Sequence, residues 1–120
     1  MNSILTDVQC KYCNTIINAE DRARLGRICK RCSHYWKKYK IRTNDYNNLL
    51  ESQNGSCAIC SKTDPGTKTK TFCVDHCHST GIVRGLLCIN CNTGVGSLKE
   101  SEEIFNNALL YLRNANTGTN

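Results

Sequence analysis

Between Thr43 and Gly55, "TNDYNNLLESQNG" sets Tyr46, Leu49 and Leu50 at i, i+3 and i+4, which predicts an amphipathic helix. Thr43 suits its N-cap, and Asn54-Gly55 its end. Upstream, "SHYWKKYKIR" interleaves Tyr35, Trp36 and Tyr39 with Lys37, Lys38, Lys40 and Arg42. On a helix begun by Ser33, the aromatics gather on one side and the basic residues flank them. Downstream, "TFCVD" alternates as a strand does, and "GIVRGLL" after the Thr80-Gly81 turn is its hairpin partner. A short helix is predicted over Cys88 to Leu98. A final one, capped by Ser97 with Glu100 or by Ser101, shows Ile104, Phe105, Ala108, Leu109 and Leu112 on one face. "SKTDPGTKTK" is a polar loop with an Asp-Pro-Gly turn, and residues 115–120 are expected to be a disordered tail.

These elements are too small to stand by hydrophobic burial alone. The chain has 120 residues, 39% of them apolar and only 7% aromatic. Chains of this size usually need staples. Ten cysteines can supply them, and eight form Cys-x-x-Cys pairs: Cys10/Cys13, Cys29/Cys32, Cys57/Cys60 and Cys88/Cys91. Two residues between thiolates let both sulfurs face one tetrahedral ion, at a zinc–sulfur distance of about 2.3 Å. The pattern predicts two structural zinc ions, one per four-cysteine set. Cys73 is expected to be buried beside Phe72 and Val74, and Cys77 to be a packed thiol. The start "MNSILTDVQC" lacks the basic flank and apolar run of a signal peptide, and no stretch is long enough to span a membrane. A cytoplasmic setting without membrane attachment follows, where thiols bind metal more often than they form disulfides.

Charge refines the picture by where it sits. The formal charge is +6, but four thiolates on each zinc would lower the total to about +2. Nine of the sixteen basic residues fall between Arg22 and Arg42, with no acid from there until Asp45. That unopposed density suits the phosphates of DNA, with Lys37, Lys38, Lys40 and Arg42 as the contacts. A solvated face on a helix docked against its zinc module is the simpler use of the same residues.

The segment "DHCHSTG", residues 75–81, brings a carboxylate and two imidazoles to the end of the first strand. Asn92 directly follows Cys91, so the second zinc would fix its position too. Asp75 and Asn92 offer hard oxygens for Mg²⁺ or Mn²⁺, and His76 can take a proton from an attacking water. Arg84 on the second strand could clamp a phosphate. A purely structural zinc finger needs none of Asp75, His76 and Asn92. A non-catalytic zinc-finger nucleic-acid-binding protein would keep the cysteines and the basic helix. A thiol redox protein would need at least one metal-free Cys-x-x-Cys pair.

From "CAIC" through "FCVDHCHSTGIVRGLLCINCNTGVGSL" the chain resembles the phage recombination endonuclease VII family, within the His-Me finger (ββα-metal, HNH-like) nucleases. The resemblance implies a small zinc-stabilised α+β fold. Its core would be ββα-metal and treble-clef-like, in a nuclease domain (43–114) with flanking short helices; the first four cysteines by themselves predict a zinc-ribbon-like, basic N-terminal module (residues 1–42). It implies that Asp75 and Asn92 bind one catalytic metal, that His76 is the general base, and that His78 contacts phosphate or steadies the leaving group. It further implies a DNA endonuclease leaving 5′-phosphate and 3′-hydroxyl ends, in host cytoplasm if phage-encoded. Branched, Holliday-junction-like DNA would call for two active sites and hence a homodimer. The family prototype carries an acid one helical turn after the Asn. This chain has Val95 and Gly96 there, leaving water or phosphate oxygens to complete the metal shell.

Overall fold

In the computed structural model, which describes residues 8–116, both four-cysteine sets are built alike. Each joins a knuckle to the first turn of a helix. The first set begins with the hairpin β1 (Val8–Gln9) and β2 (Ile16–Ile17), paired Val8 to Ile17 and Gln9 to Ile16. Cys10 and Cys13 lie in its turn, closed by Asn14 N–H to Cys10 O at 2.8 Å. Helix α1 (Ala19–Leu25) follows, its N-cap Asn18 accepting from Asp21 N at 2.7 Å. The hydrophobic pattern does not predict this helix, although the Asn cap ahead of Glu20 and Asp21 is a start signal.

Helix α2 (Lys30–Tyr39) begins earlier than a Ser33 cap would allow. Cys29 is its N-cap, and Cys29 Sγ accepts from Cys32 N at 3.4 Å. A sulfur held at this position can cap and ligate at once, so the cluster sets the helix start. A corresponding shift occurs at α3 (Thr43–Ser52). Arg42 is the N-cap, and its N–H donates to the Asp45 carboxylate at 2.8 Å. The buried Thr43 hydroxyl instead meets Cys32 Sγ at 2.7 Å, tying α3 to the first cluster.

The second set frames the ββα unit. Strand β3 (Cys73–His76) pairs antiparallel with β4 (Val83–Leu87), and Cys88 then caps α4 (Ile89–Ser97) through Sγ and Cys91 N at 3.4 Å. The 77–82 connection is closed by Cys77 N to Ile82 O (2.8 Å) and Gly81 N to Cys77 O (2.7 Å), with Gly81 at φ +78°. Only glycine takes that angle without strain. The far edge of β4 is completed by Gln53, whose amide exchanges bonds with Leu86 N and Leu86 O, both at 3.0 Å. A Cβ on Gly85 would lie 3.2 Å from that Gln53 oxygen, which accounts for a glycine in mid-strand.

One core joins these parts. Tyr35 from α2 stacks on Tyr46 from α3 (5.2 Å, 11°), and both pack with Phe72, Val74, Leu86 and Leu87. Tyr46 OH accepts from Phe72 N at 2.9 Å. Contacts therefore cross residue 42 freely. The result is a small α+β fold with two zinc-binding clusters of four cysteines each. Helix α5 (Glu102–Asn116) starts at Ser101, whose hydroxyl accepts from Ile104 N at 3.2 Å, and so resolves the choice between Ser97 and Ser101. It runs through Asn116, so the expected tail at 115–120 is helical at its start, and 117–120 lie outside the described residues. Ile104, Phe105, Leu109 and Leu112 are exposed rather than packed on the body. No helix among the described residues is long and apolar enough to cross a membrane.

Candidate active site

In each cluster, Cys10/Cys13/Cys29/Cys32 and Cys57/Cys60/Cys88/Cys91, the four sulfurs lie within 4.8 Å of one another. Cys13–Cys29 and Cys60–Cys88 are 3.6 and 3.7 Å apart. A tetrahedron with zinc–sulfur bonds of about 2.3 Å has edges of about 3.8 Å, so these spacings suit zinc. Burial works to raise these thiols. Backbone N–H bonds outweigh it at Cys10 and Cys57, drawn down to about 6, whereas burial and neighbouring sulfurs push Cys32 and Cys91 up to about 12. Four sulfurs this close cannot all ionise unaided. A divalent cation at the centre removes the conflict.

The second cluster positions the other groups. It pins the N-terminus of α4 to the knuckle, and thereby holds Asn92 across from the end of β3. A cleft of about 950 Å³ opens there, with Asp75, His76, His78, Asn92 and Glu100 on one side. Its opposite wall is α2, which contributes Lys30, Arg31, His34 and Lys38. His76 is half-buried, its ring 5.4 Å from Tyr39 in an edge contact and 5.0 Å from His78. Among the described residues, neither its side chain nor that of Asn92 has a protein hydrogen bond. Asp75 and His76 from β3, His78 from the connection after it and Asn92 from α4 thus share one cavity.

A bulge completes the site. The register runs Asp75 to Gly85 and then His76 to Val83, so Arg84 is the extra residue on β4. Bulges re-aim side chains, and this guanidinium grips the carboxylate of Asp75: Nε to Oδ2 at 2.7 Å and Nη2 to Oδ1 at 3.0 Å. The same Nη2 reaches Glu100 Oε1 at 2.7 Å. Hydrogen bonds to Asp75 and then Glu100 hold Arg84 firmly protonated, and the Arg84 bond depresses the Glu100 carboxyl. Asp75 and Asn92 supply the hard oxygens a magnesium-type ion prefers. Both Asp75 oxygens are bonded to Arg84 here, so an ion at this point would share that carboxylate with the guanidinium and take its remaining ligands from water or phosphate.

The basic residues named from sequence are dispersed. Lys38 lines the cleft, but Lys37, Lys40 and Arg42 do not. Arg42 lies between Tyr12 and Trp36, 4.0 and 3.9 Å from the ring centroids, and so joins the first zinc module to α2. Lys40 leans over Trp36 at 5.7 Å. Neither leftover thiol is fully buried: Cys73 lines the cleft, and Cys77 forms part of the hairpin turn, its thiol lowered by the Thr80 hydroxyl. The sequence reading missed Lys30, Arg31 and His34, which a helix begun at Lys30 would have placed beside Lys38.

Comparison with known proteins bears on this arrangement. A family model described as recombination endonuclease VII matches residues 32–114, which covers most of α2 and the whole ββα unit. The chain belongs to that family. Relatives of this endonuclease VII family member include the Gene 59 proteins of Mycobacterium phage L5 and Mycobacterium phage D29. They are 43% identical over 77 residues and 42% over 76, spanning 63% and 62% of this chain. The alignments span 46% and 45% of those relatives, so the chain matches less than half their length. Among solved structures, the ββα-Me type II restriction endonuclease Hpy99I aligns with a TM-score of 0.44 and 22% identity, over 92% of this chain and 66% of that one.

Proposed function

We propose that this chain is a divalent-metal-dependent DNA endonuclease of the His-Me finger kind. The observation that carries the reading is the cleft itself, with Asp75, His76 and Asn92 on the zinc-pinned ββα wall and a basic helix opposite. A non-catalytic zinc-finger protein would have a use for the basic wall but none for the other. His76, with no protein hydrogen bond among the described residues, takes a proton from the attacking water. The water oxygen bonds to phosphorus, the bond to the 3′ oxygen breaks, and that oxygen takes a proton from solvent, leaving 5′-phosphate and 3′-hydroxyl ends. Asp75 and Asn92 would hold Mg²⁺ or Mn²⁺, which when bound offsets charge on the departing oxygen. Arg84 and His78 contact the phosphate, and the α2 wall steers the strand through Lys30 and Lys38.

A branched substrate would require paired active sites. The exposed apolar face of α5 supports a homodimer through that helix. The relatives' phage origin supports a phage source and host cytoplasm as the place of action.

Plasmid and four-way-junction cleavage by the parent and by His76→Ala, Asp75→Ala and Asn92→Ala tests the proposal. All three should lose cutting with zinc content intact. Asp75→Ala and Asn92→Ala should regain part of it at high Mn²⁺, whereas His76→Ala should respond instead to added imidazole. Parental cutting by His76→Ala would exclude His76 as the base, and no cutting by the parent would return the chain to the non-catalytic reading.

A further inference from the structure

Glu100 is a cleft carboxylate that no motif in the sequence announces. Glu100 lies beyond the end of α4, yet its carboxylate lines the same cleft. The backbone brings it there by an unusual route. Lys99 and Glu100 both adopt the left-handed region, φ +58° and +56°, and Glu100 N closes back on Val95 O at 3.0 Å. A glycine would take this helix-ending conformation without strain. It would bring no carboxylate.

The carboxylate has two partners, both from the proposed phosphate-handling set. Glu100 Oε1 accepts from Arg84 Nη2 at 2.7 Å and faces His78 Nδ1 at 2.9 Å. Arg84 in turn holds both oxygens of Asp75. One guanidinium is thus forked between two well-shielded carboxylates, Asp75 at 14% and Glu100 at 19% side-chain exposure, while His78 is open at 72%. The exposed imidazole has the His76 ring beside it at 5.0 Å, and the Glu100 bond supplies the directional hold on its Nδ1. With Nδ1 turned to Glu100, Nε2 is left to face a substrate.

We propose that Glu100 is a positioning residue, holding Arg84 and His78 in one fixed relation to Asp75 so that both meet the phosphate being cut. The inference rests on the nuclease reading for its kinetic consequence, but not for its geometry. Removing Glu100 frees His78 to rotate and leaves Arg84 bound to Asp75 alone. Groups that orient others around a metal or phosphate are typically worth about 10–100-fold in activity.

The test uses the full zinc-loaded chain with Glu100→Ala and Glu100→Gln. Glu100→Ala should lower kcat by about 10–100-fold with KM changed by less than about threefold. Glu100→Gln keeps an acceptor oxygen and should recover part of the loss, with zinc content and unfolding midpoint equal to the parent's in both. Long-range ¹⁵N–¹H spectra of the histidines should show His78 fixed as the Nδ1–H form in the parent and averaging between tautomers in Glu100→Ala. A parental His78 spectrum in Glu100→Ala, or a loss of kcat that tracks zinc loss, would overturn the proposal. A loss of Mn²⁺ affinity in Glu100→Ala well beyond the about 10–100-fold that an orienting group accounts for, read by electron paramagnetic resonance, would do so too, by making Glu100 a metal ligand. If the parent cuts no DNA, the nuclease reading fails while the histidine spectra still decide the role of Glu100.

Discussion

Replacing Lys30 and Lys38 together by alanine should reduce the salt dependence of DNA binding, whereas replacing Lys37 and Lys40 should leave it almost unchanged. The distinction comes from α2. Lys30, His34 and Lys38 are four residues apart and face the cleft, while Lys37 and Lys40 lie off that row. Each phosphate neutralised adds about 0.9 to the slope of log affinity against log salt on duplex DNA, and about 0.7 on a single strand. Two lost contacts lower the slope by about 1.8 or 1.4 respectively. Between about 50 and 200 mM salt the parent should therefore lose about tenfold more affinity than the double variant. Fluorescence anisotropy of labelled DNA across a salt series measures this, in a His76→Ala background that leaves the DNA intact. Arg31 is left in place because its guanidinium lies over Tyr35 and Tyr46, at 5.5 and 5.2 Å, and helps hold the core. Equal slopes for the two double variants, or a larger drop for Lys37 and Lys40, would refute the reasoning and move the strand to the outer face of α2.

Gln53→Ala should destabilise the ββα unit by about 1–3 kcal/mol, because Leu86 N, in a residue with no solvent exposure, loses its partner; urea unfolding with zinc present measures it. Cys57→Ser should lower the bound zinc from two ions to one and unfold the ββα core, since at this size metal binding and folding share one free energy, as atomic absorption and circular dichroism would show. Leu109→Lys on the exposed face of α5 should convert a dimer to monomer without lowering the unfolding midpoint, read by analytical ultracentrifugation. Arg42→Ala should change Trp36 fluorescence and cost about 1–2 kcal/mol through loss of its place between two rings, while leaving the salt slope of DNA binding unchanged.

Metal chemistry and the ββα order are legible along the chain alone. Cys-x-x-Cys spacing is a local geometric demand, so four pairs announce two tetrahedral sites wherever the chain runs. Alternation in "TFCVD" and "GIVRGLL", with a Thr-Gly turn between, likewise announces a hairpin. His76, Asp75 and Asn92 can be named because each is adjacent to an element that such local rules define. Folding in three dimensions adds what local rules cannot reach. A cysteine sulfur as helix cap shifts the start of α2 from Ser33 to Lys30, and with it the set of basic residues that face the cleft. Arg42, one more charge in a basic run when read along the chain, becomes an aromatic-sandwiched joint once Tyr12 folds back on it. Glu100 reaches the site only because two residues turn left-handed after α4. Arg84 meets Asp75 only because of a one-residue bulge. Each of these depends on where one segment ends relative to another far away in sequence, and that is set by packing and by the zinc cages rather than by any residue's own preference.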